Sequence, residues 1–395
     1  MLNVHRTKAL VLPTYNGTLE PYALSGDPLK PRPPAAAFTR TAFAAAHVVS
    51  DPLRERDPWR GAPAVDWEST LSFRAYLWDQ GLGLAEAMDT AQRGMGVDWA
   101  TSKELIERTM VEAKAHPLKP RVACGAGTDQ FAIHDLKGAD ALVAAYSEQM
   151  EAIEAAGGQI ILMASRSMAA QGGGPDFYAS VYERLISQAT QPVILHWLGD
   201  MFDPELKGYW GHQDLDQATD AVLEIIHRNA VRIDGIKVSL LDQSREETLR
   251  ARLPVGVRLY TGDDFNYAAL IEGDGKHFSH ALLGAFAAIA PAAAQALGAL
   301  AEGDNARYHA LLGPTVPLSR EIFKAPTQYY KAGIAFLAWL NGVQHHFVMP
   351  GGLQSSREIA HYAEIYRLAD AAGLLSRPDL ATERMKTLLH IYGID

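Results

Sequence analysis

Between Arg121 and Tyr260 the chain keeps repeating one unit, a short and nearly unbroken apolar run followed by a longer amphipathic segment. The runs are Arg121–Gly125, Gln159–Ala164, Pro192–Trp197, Ile233–Ser239 and Arg258–Tyr260. The segments between them, Ala139–Ala156, Asp176–Ala189, Leu215–Asn229 and Gln243–Leu253, carry apolar residues at helical spacing. A strand apolar at every position must be covered on both faces, so the alternation predicts a parallel sheet wrapped in helices. Upstream, Phe43–Val49 and Gly81–Met88 read as further strands, with helices at Asp66–Gln80 and Ser102–Ala115. The eighth strand is the weakest signal and is expected within Leu270–Ser279, near His277-Phe-Ser. About eight such units predict an α/β fold, a single (β/α)8 TIM barrel. An open doubly wound sheet is the alternative, but no Gly-x-Gly-x-x-Gly follows the first strand.

Two flanks frame the barrel, which is assigned to residues 38–280. Residues 1–37 hold Pro13, Pro21, Pro28, Pro31, Pro33 and Pro34 and read as an irregular arm with a short strand at Ala9–Leu12. Residues 281–395 read as a helical extension packed on the barrel. Its expected helices are Ser279–Glu302, Asn305–Phe323, Gln328–Asn341 and Ser355–Ala372, then a last short pair. The longest apolar stretch, His280 to Leu300, is alanine-rich and interrupted by Pro291, which fits a helix pair rather than a membrane span. A net charge of −10 argues against nucleic acid as a main partner, because phosphate binding needs a basic face. The single Cys124 rules out an internal disulfide and suits a reducing compartment. The opening Met-Leu-Asn-Val-His-Arg-Thr-Lys lacks a charged-then-apolar design, so no signal peptide is expected and the expected location is cytoplasmic.

One residue stands out against this apolar background. Lys237 lies near the end of Val231-Arg-Ile-Asp-Gly-Ile-Lys237-Val-Ser-Leu, and burying its charge would be costly. Such a lysine is either paired with a carboxylate or has its pKa lowered until the amine becomes a nucleophile. From the local pattern alone, a strand-end lysine snorkelling to solvent is the commoner case. The next strand, Val257-Arg-Leu-Tyr-Thr-Gly-Asp-Asp264, ends in a turn that would face the same place.

Five motifs in order then resemble the dihydrodipicolinate synthase / N-acetylneuraminate lyase family of class I aldolases, from about Phe38 to Arg357. Val122-Ala-Cys-Gly-Ala-Gly-Thr128 resembles its glycine-rich third strand and Pro192-Val-Ile-Leu-His196-Trp its fifth. Gly235-Ile-Lys237 resembles the strand bearing the Schiff-base lysine, and Leu259-Tyr-Thr-Gly-Asp-Asp264 the strand after it. The closing helices, with a gap before Phe347-Val-Met-Pro350, also fit. The resemblance implies a Schiff-base lyase or aldolase acting on a small carbonyl compound, with Lys237 as nucleophile, no cofactor, and a homodimer or homotetramer. In such an enzyme the protonated imine is an electron sink for a neighbouring carbanion. Gly125, Ala126, Gly127, Asp263 and Asp264 would line the pocket floor.

The chain also departs from the family. His196 stands where the family has a proton-shuttling tyrosine, and an imidazole can take over that work. The loop that holds the keto-acid carboxylate becomes Asp89-Thr-Ala-Gln-Arg-Gly-Met-Gly96, which keeps Thr90 for a relay and adds Arg93. The paired tyrosines after the fourth strand give way to Ser165-Arg-Ser-Met168, and the arginine beyond the fifth strand to Met201 or its neighbours. Ordinary dihydrodipicolinate synthesis is therefore not expected. A longer oxo acid or a keto sugar is, with Arg93 and Arg166 as new contacts to it. Two rival readings stand beside this one. Glu86, Asp89, His196, Asp200, Asp263 and Asp264, with His212, His277 and His280, could hold a divalent metal for isomerisation or aldol cleavage. The barrel could also serve as a non-catalytic binding module.

Overall fold

The structure is a computed structural model that describes residues 9–31, 37–54 and 63–394. The expectations for Met1–Lys8, Pro33 and Pro34 lie outside the described residues. Among the described residues ten strands form: β1 (Leu10–Pro13), β2 (Leu19–Tyr22), β3 (Ala42–Ala45), β4 (Gly83–Glu86), β5 (Val122–Ala126), β6 (Gln159–Leu162), β7 (Val193–Leu198), β8 (Ile233–Ser239), β9 (Arg258–Thr261) and β10 (His280–Leu283). The last eight close on themselves in the order β10-β3-β4-β5-β6-β7-β8-β9, and every neighbouring pair is parallel. This is a (β/α)8 TIM barrel, with an N-terminal strand pair and C-terminal helices outside it.

Alternation along the strands sorts side chains inward and outward. Phe43, Ala85, Ala123, Ile161, Ile194, Tyr260 and Leu282 meet inside the cylinder as a separate apolar layer. Their outward neighbours join the larger core beneath the helices. The N-terminal end of the barrel is closed by a polar plug, where Asp234 accepts from Tyr260 Oη at 2.6 Å and from Arg258. The opposite, C-terminal end is left to the site, as barrels of this class require.

The eighth strand is His280–Leu283, not the expected stretch Leu270–Ser279. That stretch supplies the helix Tyr267–Glu272 and a turn, and its signal was hidden because the strand is spelled in alanine and leucine, which suit a helix equally. Consequently the expected helix Ser279–Glu302 starts later and is split into Ala285–Ala288 and Ala290–Ala301. The expected helix Asn305–Phe323 is also two, Asn305–Leu312 and Thr315–Ile322, divided at Gly313-Pro314. The last short pair is a single helix, Pro378–Ile391. The expected strand at Ala9–Leu12 exists but pairs with β2 as an antiparallel hairpin. The chain after β2 is tied to the C-terminal helices, where Asp370 accepts from Tyr22 Oη at 2.7 Å and from the Ser25 and Gly26 amides at 2.9 and 3.1 Å. No described helix is long and apolar enough to cross a membrane.

A buried acid behind β9 sets a pH dependence of stability. Glu246, on the helix Gln243–Ala251, accepts from Thr261 Oγ1 at 2.9 Å and Ser279 Oγ at 2.7 Å. Burial pushes its carboxyl up from 4.5 to about 8. The folded chain therefore holds a proton that the unfolded chain has already released between these values. Stability falls as pH rises through that window, by about 1.4 kcal/mol per unit of displacement at most. Replacement by glutamine (E246Q) is expected to remove this loss. Thermal melts from pH 4 to 9 should show the variant gaining on the wild type as pH rises, and parallel curves would refute the assignment.

Candidate functional site

Lys237 and His196 sit side by side in the β7–β8 ladder, directly opposite each other in register. Both project inward, one layer above Ile194, at the C-terminal mouth. Lys237 is 7% exposed and His196 fully buried. Burial pushes the Lys237 ammonium down from its ordinary value, with the charges of Asp89 and Asp264 opposing. No carboxylate among the described residues comes within 4.0 Å of the Lys237 amine, so it is not locked in an ion pair. Burial, and then the neighbouring Lys237, hold His196 well below the usual imidazole range. Neither ring nitrogen of His196 has a hydrogen-bond partner among the described residues. A buried imidazole without partners is rare and costs free energy, so its nitrogens are available to a ligand.

The room for the lysine arm comes from a missing side chain. A Cβ at Gly262, just past β9, would lie 2.8 Å from Lys237 Cε and 2.2 Å from Ser239 Oγ. Gly125 makes room for a different neighbour, since a Cβ there would meet Met163 Sδ at 2.5 Å. The two aspartates after Gly262 have separate roles. Asp263 accepts from the Phe265 and Asn266 amides at 2.8 and 3.0 Å and so stabilises the turn. Asp264 is buried, accepts from the Ala285 amide at 2.9 Å, and is pushed up by burial despite the nearby Lys237.

A cavity of about 180 Å³ opens beside His196, with Asp89, Gly127, Thr128, Ser165 and Arg166 in its wall. The sequence candidates divide here. Arg93 reaches the wall, but its guanidinium donates to Asp129, Ala87 O, Gly125 O and Gln149 Oε1. All its N–H groups are spent inside the protein. Arg166, also in the wall, instead gives Nε to Asp203 at 2.6 Å, and its two terminal nitrogens have no hydrogen-bond partner among the described residues. Gly127 lies in the wall with its amide held by Gln149 at 2.7 Å, while Gly125 and Ala126 lie deeper in β5. Met201 folds over Gly199, and from the same loop it is Asp203 that reaches the cavity. Thr90 is buried just after β4 and shares a hydroxyl–hydroxyl hydrogen bond of 2.7 Å with Tyr330.

Tyr330 and the adjacent buried Lys331 were not legible as site residues. They open the helix Tyr330–Leu340, where sequence marks a buried segment but not which barrel strand it crosses. Burial pushes the Lys331 ammonium down to about 8, with Asp89 and Asp203 opposing.

Two of the residues proposed for a metal lie away from the mouth. Glu86 points outward from β4 to a buried ion pair with Arg74 at 2.9 Å, and His280 accepts from the Thr41 amide at the barrel's far end. Among the described residues no three His, Cys, Asp or Glu side chains gather to hold a metal ion.

Comparison with solved structures finds the same barrel in dihydrodipicolinate synthases. The enzyme from Aquifex aeolicus superposes with a TM-score of 0.60 at 12% identity, covering 90% of this chain and 98% of its own. A prophage protein of the dihydrodipicolinic acid synthase family from E. coli K12, solved with pyruvate, gives 0.61 at 15% identity, over 91% of this chain and 100% of its own. The chloride-inhibited dihydrodipicolinate synthase from Acinetobacter baumannii, also with pyruvate, gives 0.60 at 15%, over 85% and 99%. A search of curated proteins finds no match. A family model described as a protein of unknown function (DUF993) matches residues 10–394. The chain thus belongs to the DUF993 family and carries a barrel of the dihydrodipicolinate synthase type.

Proposed function

We propose that this protein is a class I aldolase or lyase that forms an imine between Lys237 and a keto acid or keto sugar. One observation carries the reading. A lysine with no ion-pair partner among the described residues is buried at the C-terminal mouth of the barrel, in register with an imidazole whose two nitrogens have no partner among them either. Burial favours the neutral amine, which is the form that attacks a carbonyl. His196 remains neutral in the same environment and can accept the proton that the attacking nitrogen sheds. The resulting iminium withdraws electrons from the adjacent carbon, so a C–C bond there can break or form.

The substrate is small, to match the cavity, and carries an anionic or hydroxylated end that Arg166 would address. Arg93 would shape the wall rather than bind, since its donors are engaged. Two of the fold neighbours were solved with pyruvate, which makes 2-keto acids the first donors to try. The metal-dependent alternative is less favoured, because no three of its candidate ligands gather among the described residues and Glu86 is engaged by Arg74.

The test is borohydride reduction in the presence of pyruvate, 2-oxoglutarate or fructose, followed by peptide mass mapping. A reduced adduct on the Lys237 peptide is the expected result, and dialysis against a chelator should not change it. No adduct with any of the three compounds, or one on another lysine alone, would remove the imine reading.

A further inference from the structure

We propose that Tyr330, delivered by the C-terminal helical extension, is a catalytic residue that gives a proton to the carbinolamine oxygen formed on Lys237. The inference rests on the imine reading and extends it to a residue outside the barrel. Tyr330 reaches the mouth from above. A Cβ at Gly284, at the end of β10, would lie 3.1 Å from its ring. On the neighbouring strand, Gly262 makes the corresponding space for the Lys237 arm. Gly262 and Gly284 thus clear space at the adjacent ends of β9 and β10, the first for the lysine arm and the second for the tyrosine ring.

The ring is held rigidly. It stacks on Phe323 at 4.4 Å between centroids and meets Phe202 edge-on at 6.2 Å. Among the described residues its hydroxyl has one partner, Thr90 Oγ1 at 2.7 Å, and either oxygen can donate. The same two carboxylates, Asp89 and Asp264, act on Lys237 and on Tyr330, which places both groups in one electrostatic environment. Burial, reinforced by these carboxylates, keeps the phenol protonated, whereas burial keeps the His196 imidazole neutral. The phenol thus carries a proton and the imidazole an unprotonated nitrogen, the resting states that a general acid and a general base start from.

The step balances as follows. The nitrogen lone pair of the carbinolamine forms the C=N bond while the C–O bond breaks. The Tyr330 hydroxyl supplies the proton, so the oxygen leaves as water. A protonated imine and a phenolate remain, and the phenolate is reprotonated through the Thr90 hydroxyl. Thr90 is then a positioning residue.

The experiment times imine formation on Lys237 by rapid borohydride quench, with pyruvate, 2-oxoglutarate and fructose as probes. Y330F keeps the stacked ring and should slow imine formation about 100-fold, the typical contribution of a positioned acid, with little change in the concentration for half-saturation. T90V should slow it too, and T90S should restore it. A Y330F rate within about threefold of the wild type overturns the assignment of Tyr330 while leaving the imine reading in place. If Y330F does not fold, equal rates for T90V and T90S overturn it instead. A wild-type protein that traps none of the probes overturns the imine reading, and this assignment with it.

Discussion

Replacement of Lys237 by methionine (K237M) is expected to abolish borohydride trapping and to lower turnover by about 1,000-fold or more, on the scale seen when a covalent nucleophile is removed. The fold should hardly notice. Methionine has a similar length and volume, and the amine it replaces has no carboxylate partner within 4.0 Å among the described residues. Burial of that amine costs free energy in the wild type, so the variant's melting temperature should stay level or rise. The two readouts must therefore move apart. Lost activity with unchanged stability marks a residue kept for chemistry, whereas a large drop in melting temperature would mark Lys237 as a structural residue and sink its catalytic role. Arginine is the poorer probe, since it keeps a buried charge that cannot be released.

What could be read from the sequence follows from what each signal depends on. The barrel strands from β5 to β9 were legible because burial on both faces writes itself as an unbroken apolar run. β10 was not, because Ala281-Leu-Leu283 is as compatible with a helix as with a strand, and only closure against β3 decides. Lys237 was visible as a cation out of place, and His196, its neighbour in register, through the resemblance to the family's fifth strand. Distance along the chain hid the rest. Tyr330 meets Thr90 across 240 residues, and no local pattern marks which way that helix turns its tyrosine. Charge partners were equally hidden. Arg93 and Arg166 look alike in sequence, yet Asp129, Gln149 and two backbone carbonyls consume the first, while Asp203 leaves the second partly free. Glu86 looked like a possible metal ligand because alternation alone does not say that the last residue of β4 faces the helices.

That outward-facing Glu86 leads to the largest expected effect on stability. Arg74 and Glu86 are both wholly buried and meet through two parallel hydrogen bonds of 2.9 Å, Nε to Oε2 and Nη2 to Oε1. Thr109 Oγ1 and the Ala87 amide complete the carboxylate at 2.7 and 2.8 Å. Removing the cation alone, as in R74M, leaves a buried carboxylate with no counter-charge and should cost about 3–5 kcal/mol in urea unfolding. Removing both charges is a different matter. In R74M/E86M the desolvation cost disappears along with the attraction, so most of the loss should be recovered, and the cycle should give a strongly favourable coupling. Function gives a second readout. Ala87 sits at φ 51°, a left-handed conformation that a residue with a side chain rarely adopts, and its amide is held by Glu86 three residues before Thr90. The double variant should therefore regain stability without fully regaining the rate of imine formation, because the segment carrying Thr90 loses its anchor. An R74M protein within about 1 kcal/mol of the wild type would show that the pair does not hold the β4 end in place, and would remove this link between the ion pair and the site.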